Sequence, residues 1–482
     1  MTIRKHKKNM NLRQIIKTIL KPLSWGGVGV ALLLLSSCGL YTKYERPDVN
    51  TAGLIRDVFA DADTLAVNTD ENFGQLPWRE VFTDPQLQQL IETALENNTD
   101  LRNAALNVKM SEDMLRVAKL SFLPTLAFAP SGTLSRLYID GASTSKTYQL
   151  PIAASWNVDL FGNILSQKRS AQMALLMTKD YQVAVQTNIV CGVANLYYTL
   201  MMLDEQISII NDMEGLVKET WDMMKLQKDL GRARSTSVQS AEANYYQVQA
   251  QKADLKRQVR EMENSMSLLL NEAGHQIPRG KFYNQSLPQQ FAAGVGIQLL
   301  SNRADVHAAE MQLAQCYYDV ETARSRFYPN LNISANAIFT NSAGTMVMNP
   351  GKWLLSAVGQ LTQPIFQHGQ IVAGLKVAQA QQEQAFNTWQ NLILKAGNEV
   401  SNALLLYNAS DEKSQLEAKQ VEVLTQNVED TRQLYRSKGS SYLEVIQAQS
   451  SLLNARISQV QDDFYKMQAV VNLYQALGGG GM

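Results

Sequence analysis

One unit of sequence is used twice in this chain. Residues 100–128, DLRNAALNVKMSEDMLRVAKLSFLPTLAF, align without a gap on residues 305–333, DVHAAEMQLAQCYYDVETARSRFYPNLNI. Asp100 then meets Asp305, Pro124 meets Pro329 and Leu126 meets Leu331. Further on, WNVDLFGNILSQKRSAQMAL matches QLTQPIFQHGQIVAGLKVAQAQ with a two-residue insertion, and LGRARSTSVQSAEANYYQVQAQ matches KGSSYLEVIQAQSSLLNARI. A duplicated unit constrains the fold strongly, because any element found in one half must have a counterpart in the other. Composition adds only bounds. With 45% hydrophobic and 18% charged residues, disorder throughout is excluded. The 44 basic and 44 acidic residues balance, so no global charge calls for nucleic acid.

Each unit carries a pair of alternating segments. Leu331, Ile333, Ala335, Ala337 and Phe339 face one way, and Asn332, Ser334, Asn336 and Thr340 the other, the period-two signature of a strand with one apolar face. In the first unit Tyr148, Leu150, Ile152, Ala154, Trp156, Val158 and Leu160 alternate with mostly polar residues. The partner of that strand runs from about Leu126 to Tyr138, with a Gly-Ala-Ser-Thr-Ser turn between them. In the second unit the pair is Leu331 to Thr340 and Leu354 to Phe366, joined by NSAGTMVMNPGK. Strands of about 10 residues with one apolar and one polar face are what a transmembrane β-barrel uses. Tyr138, Tyr148, Trp353 and Phe366 near the strand ends suit interfacial girdles. Four strands cannot close a barrel, and an open edge in lipid leaves backbone groups without partners. Closure therefore demands several copies. Two would give eight strands and three twelve, and the larger ring is the one that leaves a channel.

The remainder reads as long helix. From about Leu165 to Leu230 there is no proline, and Ile189, Val193, Leu196, Leu200, Leu203, Ile207, Ile210, Val217, Trp221 and Met224 follow four-and-three spacing with one gap. Such a helix is about 100 Å long. Ile446, Leu453, Val460, Met467 and Tyr474 repeat by heptads. Both patterns require coiled-coil packing. Each long helix reverses at a Gly-centred turn, LGRARSTS or SKGSSY.

The chain opens with a basic cluster followed by WGGVGVALLLLSSC. This apolar run of roughly ten residues is too short to span a bilayer and the right size for a signal peptide core. Leu35-Ser36-Ser37-Cys38 resembles a bacterial lipobox, so the expected mature chain begins at an acylated Cys38. Gly39 follows, with no acidic inner-membrane retention signal. Cys191 and Cys316 are far apart inside helical patterns and read as small buried residues, not as a disulfide.

These features resemble the TolC-like outer-membrane efflux proteins, and specifically the lipidated OprM/NodT branch of RND-type efflux systems. The segments that carry the likeness are LPWREVFTDPQLQQLIETALENNTDLRNAALNV (Leu76 to Val108), YRSKGSSYLEVIQAQSSLLNAR (Tyr435 to Arg456) and YERPDV after the lipid cysteine. The fold class that the resemblance implies is α plus membrane β-barrel. Four strands per chain enter a trimeric twelve-stranded outer-membrane barrel, and long coiled-coil helices form a periplasmic α-barrel. The expected organisation is a lipoprotein signal peptide over 1–37, a lipidated segment with equatorial elements over 38–99, and a first repeat over 100–272. That repeat comprises a helix, a strand pair at about 126–160, a long helix at 165–230 and a return helix at 236–272. A linker over 273–301 leads to a second repeat over 302–477, with strand pair about 331–366, long helix 370–437 and return helix 441–477, and a tail over 478–482.

The implied partners are two further copies of the chain, outer-membrane lipid, a periplasmic adaptor protein and a proton-driven inner-membrane RND transporter, and no nucleic acid. The implied adaptor contacts at the tips are Gly231, Arg232 and Arg234 on one turn and Gly439, Ser440 and Tyr442 on the other. The two tips differ in charge, since Arg232 and Arg234 stand where SKGSSYLE carries a lysine, a tyrosine and a glutamate. In the family a leucine, followed four residues later by an aspartate, constricts the closed tip. Alignment places Leu443 at the leucine and Gln447 at the aspartate, with Glu444 the nearby acid, so Leu443, Glu444 and Gln447 are the expected gate. Glu444 also suits a helix N-terminus simply because acids are favourable there.

Catalysis has no candidate residues. No Gly-x-Ser-x-Gly elbow, P-loop or dinucleotide fingerprint occurs, and the four histidines lack the spacing of a zinc site, so no cofactor or metal is expected. The methionine pairs in TMVMNP and DMMKLQ read as loop and packing residues, with soft-metal export as the sharper alternative. Three function classes follow: an exit duct for drugs and small molecules, the channel of a type I protein secretion system, or a structural coiled-coil lipoprotein without a pore. The four alternating strands speak against the last.

Overall fold

A computed structural model describes residues 42–48, 73–137, 143–285, 303–343, 346–437 and 441–480. The leader, Cys38, Tyr138, Gly439 and Ser440 lie outside the described residues. The chain forms two compact units, one built on 114–172 and 314–383 and the other on 73–113, 173–313 and 384–480.

The first unit is organised by one antiparallel sheet of β1 (Thr125–Phe128), β2 (Ser131–Leu137), β3 (Ser143–Val158), β4 (Asn330–Ala343) and β5 (Met346–Thr362). β1 and β2 both pair with β3, β3 pairs with β4, and β4 pairs with β5. Where the sequence predicts four strands there are five segments, because the first strand is interrupted at Ala129–Pro130. The register does not slip across the break, as Phe128 lies opposite Ile152 and Ser131 opposite Gln149. That register sets Pro130 against Leu150 and Ala129 against Pro151. Whichever pair would exchange ladder bonds, one member is a proline with no N–H to give.

Pairing also settles the faces. Ten pairs join β3 to β4, from Gln149↔Thr340 to Val158↔Leu331, the length a tilted membrane-spanning strand needs. Cross-strand partners share a face, so Leu150, Ile152, Trp156 and Val158 stand with Phe339, Ala337, Ile333 and Leu331. Trp353, Leu355, Ala357 and Leu361 continue the same face on β5. Leu126 and Leu355 are 75% and 76% exposed, so this face is apolar and uncovered within the chain. The other face carries Gln149, Ser155, Asn157, Asn332, Ser334, Asn336, Ser356 and Gln360. Tyr148, Phe339 and Trp353 cluster at one end of the sheet, with ring centroids 6.1 and 5.5 Å apart.

The stretch Asn341–Lys352, which the sequence presents as a connection, is mostly strand. β4 continues to Ala343 and β5 begins at Met346. A bulge lies between Thr340 and Ser342, and the Asn341 side chain repairs the ladder there. It accepts from the Tyr148 N–H at 2.8 Å and donates to the Lys146 carbonyl at 3.0 Å. Gly351 is required beside the bulge, since a Cβ would fall 2.7 Å from both the Thr340 carbonyl oxygen and the Tyr148 hydroxyl. β5 stops at Thr362, two residues before Pro364, which leaves Phe366 beyond the strand and not in a girdle at its end.

The helices are α1 (Trp78–Val81), α2 (Pro85–Asn97), α3 (Thr99–Leu120), α4 (Asn163–Asp229), α5 (Ser235–Leu270), α6 (Ala304–Ser325), α7 (Gln370–Arg436) and α8 (Tyr442–Ala476). Their lengths repeat: 22 residues for α3 and α6, 67 for α4 and α7, and 36 and 35 for α5 and α8. Gly162 and Gly369, each just before a long helix, both have positive φ, 71° and 77°.

In the second unit the helices pack as their periodicity predicts. Ile189, Val193, Leu200, Leu203, Ile210, Val217 and Met224 of α4 are buried, as are Leu453, Val460, Phe464, Val471 and Tyr474 of α8. The ends of the return helices are tied by equivalent residues of the two repeats. Asn98 donates to the Leu269 carbonyl at 3.0 Å, near the end of α5, while its Oδ1 accepts from the Asp100 N–H and caps α3. Arg303 donates to the Ala476 carbonyl at 3.0 Å, at the end of α8, and is held by Asp305 and Glu399. Both groups satisfy carbonyls that a helix end otherwise leaves orphaned.

The glycines after α8 form a built structure. Gly478 and Gly480 have φ of +81° and +90°, and a Cβ on Gly479 would lie 2.3 Å from the Tyr474 ring. Tyr474 is buried between Phe73 and Phe82, accepts from the Gly480 N–H and donates to the Leu76 carbonyl. Cys191 is buried, and that burial pushes its thiol up to about 12. Neither Cys191 nor Cys316 is in a disulfide.

Candidate functional site at the helix tips

Four helices meet at the level of Thr220 and Trp221 in α4. Trp221 stacks on Tyr245 of α5 at 5.3 Å, Arg432 of α7 pairs with Glu219 at 2.7 Å, and Gln449 of α8 donates to Thr220 Oγ1 at 3.0 Å. This common level fixes the direction of both turns. α4 runs about 14 Å further before its turn and α8 begins about 10 Å from the same level, at 1.5 Å per residue, so the α4–α5 and α7–α8 connections sit at the same end.

The α4–α5 turn closes α4 with a Schellman motif. Gly231, at φ +71°, donates to the Lys228 carbonyl at 2.8 Å, and the Arg232 N–H donates to the Gln227 carbonyl at 2.7 Å. Arg232 and Arg234 are both exposed. Arg234 is the N-cap of α5, and its side chain makes no cap bond. A guanidinium at a helix N-terminus neither accepts the orphan N–H groups nor suits the positive end of the helix dipole. Local stability therefore does not account for the choice of residue.

The second turn is the opposite case. Ser441 caps α8, accepting from the Glu444 N–H at 3.4 Å, and its hydroxyl donates to Glu444 Oε1 at 3.2 Å. The Ser-x-x-Glu pattern is a capping-box sequence, and Glu444 occupies the place where a carboxylate is favourable. Leu443, 62% exposed, stands with Glu444 and Gln447 on one uncovered stripe of α8, while Val445, Ala448 and Gln449 are buried. Tyr442 is half-buried. Thus Leu443, Glu444 and Gln447 are brought together, as are Gly231, Arg232 and Arg234.

Residues 90–272 and 296–479 match the Outer membrane efflux protein family, one match for each repeat. The chain belongs to this family. Its relatives include the cation efflux system protein CusC of Escherichia coli O157:H7, 26% identical over 450 residues that cover 93% of this chain and 97% of CusC. The solvent efflux pump outer membrane protein SrpC of Pseudomonas putida is 28% identical over 459 residues, covering 93% and 97%. A solved structure of CusC superposes with a TM-score of 0.80 at 24% identity, covering 91% of this chain and 99% of that one. This efflux protein is an outer-membrane channel component, and its fold joins a β domain to a helical barrel domain. No described helix is long and apolar enough to cross a membrane.

Several residues that shape the helical part of this efflux protein escape sequence reasoning. Gln449 is wholly buried beside the tips, and its Oε1 has no hydrogen-bond partner among the described residues. Glu417 of α7 lies against Asp462 of α8, which Lys413 approaches to 2.8 Å. Burial first, and then the hydrogen bond with Asp462 and its charge, push the Glu417 carboxyl up to about 7. A heptad count could have flagged Asp462, a carboxylate between the core positions Val460 and Phe464. Nothing in sequence pairs it with Glu417, because the two meet only when α7 and α8 fold back on each other.

Proposed function

We propose that this efflux protein is the passive exit duct of a tripartite pump, for small molecules handed over by an inner-membrane RND transporter through a periplasmic adaptor. The supporting observation is the sheet: one face apolar and exposed, the other polar, and, among the described residues, one open edge along β1–β2 and one along β5, so that three copies close a twelve-stranded wet barrel. Lipidation at Cys38 adds an anchor. The helices reach into the periplasm, where Gly231, Arg232, Arg234, Gly439, Ser440 and Tyr442 meet the adaptor. Leu443, Glu444 and Gln447 form the constriction. Three copies of Glu444 near one axis make a cation-favouring ring.

Relatives of similar identity are named for cation and for solvent efflux, so small molecules are the substrate class and the selecting pocket belongs to the pump. Two measurements test this reading. Native mass spectrometry in detergent is expected to show trimers, and a monomer or dimer as the main species overturns the closure. In planar bilayers, Glu444→Gln combined with Gln447→Ala is expected to raise conductance and weaken cation preference. Traces identical to wild type move the gate elsewhere along α8.

A further inference from the structure

The register that fixes the two faces of the sheet also divides its polar face into rows. Nearest the helices these rows carry Asn332 beside Asn157 and Ser334 beside Ser155. One row breaks the pattern. Ile338 lies opposite Pro151 on β3 and opposite Leu354 on β5, and the same register sets Ala129, in the break between β1 and β2, against Pro151. The row is apolar on every strand it crosses, although it stands on the polar face. Its neighbours return to polar groups, with Asn336 and Ser356 on the helix side and Gln149, Thr340 and Lys352 on the other.

Neither lipid nor the chain itself accounts for this row. In a barrel, lipid meets the residues that alternate with it, Leu150, Phe339 and Trp353, because successive side chains on a strand point to opposite faces. Within the chain Leu354 is 51% exposed, and Pro151 and Ile338 are half-buried. Apolar side chains set in a wet wall favour apolar contact from whatever passes them.

Charge supplies the second half of a site. Lys352 is exposed on the same face and stands two residues from Leu354, about 7 Å along the strand. The five strands contain no aspartate or glutamate, so no carboxylate of the sheet neutralises it. An ammonium group one row beyond an apolar patch fixes the orientation of a molecule with an acid group at one end and a hydrocarbon body at the other. Both rows lie beside Phe339 and Trp353, at the end of the sheet away from Val158 and Thr362, where the chain leaves for α4 and α7.

We propose that the Pro151–Ile338–Leu354 row is a collar on the duct wall that binds small amphipathic organic anions at the exit end, with the hydrocarbon body on the collar and the acid group on Lys352. The proposal rests on the duct reading, since closure of the barrel is what brings three such rows around one axis. It places the binding surface at the opposite end of the molecule from Glu444.

Single channels of the full-length protein in planar bilayers test this with two salts that share a head group, sodium octanesulfonate and sodium methanesulfonate. Octanesulfonate is expected to reduce the wild-type current at concentrations where methanesulfonate leaves it unchanged. Ile338→Asn with Leu354→Ser, which copies the residue types of the neighbouring row, should weaken that block by about tenfold or more, and Lys352→Gln by about threefold or more. Asn336→Val with Ser356→Val adds a second apolar row and should tighten the block. If the Ile338→Asn and Leu354→Ser protein yields no channels, this second variant decides, and block no tighter than in the wild type overturns the proposal. Equal block of the wild type and of the Ile338→Asn and Leu354→Ser protein, or equal block by the two sulfonates, overturns it and leaves the duct intact. Wild-type protein that carries no current defeats the duct reading beneath it.

Discussion

The two turns at the tip end of the helices do the same geometric job with opposite chemistry. The α7–α8 connection starts its return helix with Ser441 and Glu444, a pairing that satisfies the first N–H groups and suits the helix dipole. The α4–α5 connection starts its return helix at Arg234, with no cap bond and a charge of unfavourable sign. A turn that is optimal for its own helix needs no external reason for its residues. One that departs from the optimum on exposed side chains points to a partner. This contrast supports the docking role proposed for Arg232 and Arg234, and reads Glu444 first as part of a cap that the proposed gating role must share.

The sharpest way to break this contrast is to reverse both charges. Arg232→Glu with Arg234→Glu should reduce adaptor cross-linking and drug resistance by about tenfold or more, since like charges facing each other at an interface cost several kcal/mol. Unchanged cross-linking would return both arginines to the role of solvated turn residues. Next in size, Gly231→Val forces a branched side chain into the left-handed region, at a cost of about 1–2 kcal/mol. Hydrogen exchange at the end of α4 should speed up accordingly.

A smaller pair of effects should run in opposite directions. Ser441→Ala is expected to destabilise the start of α8 by about 1 kcal/mol, whereas Arg234→Ser should stabilise the start of α5 by about 0.5–1 kcal/mol while weakening adaptor binding. Thermal unfolding in detergent and local hydrogen exchange would measure both. If Arg234→Ser left adaptor binding intact, the assignment would lose its second support.

The smallest effect extends the contrast along the two helix pairs. In α4–α5, Lys252 and Gln249 donate to Glu214 and hold its carboxyl below the usual range. That support is present above the ordinary carboxylate pKa and lost as pH falls through the lowered value. In α7–α8, Glu417 is raised to about 7 by burial and by Asp462. The unfolded chain ionises first, so stability falls as pH rises from about 4.5 towards 7 and then levels off. Hydrogen-exchange protection factors, corrected for the intrinsic rise of exchange with pH, should therefore fall in the middle of α7 and α8 between about pH 5 and 7. Glu417→Gln should reduce the change, and what remains is the contribution of Asp463, whose carboxyl burial also raises.

Much of this molecule is legible in one dimension because its elements are long and periodic. Alternation over Leu331–Phe339 and the heptads of α8 each involve many residues that agree, and the repeat doubles every observation. The α4–α5 turn was legible too, since a glycine after a long apolar period is a local signal. Contacts between segments distant in sequence were not. Asn341 mending the ladder at Tyr148, Arg303 closing α8, Glu417 beside Asp462 and the glycine tail folded around Tyr474 each depend on two segments meeting in space. The tail shows the limit well, because a run of glycines reads as a flexible end, and only the tyrosine ring 2.3 Å from where a Cβ would stand makes it a built one. The sequence by itself determined the repeated unit, the strand faces and the helix periods, all of them set by local backbone geometry. The tertiary structure decided which polar groups share a proton or close a helix end, because those depend on distances that no pattern along the chain encodes.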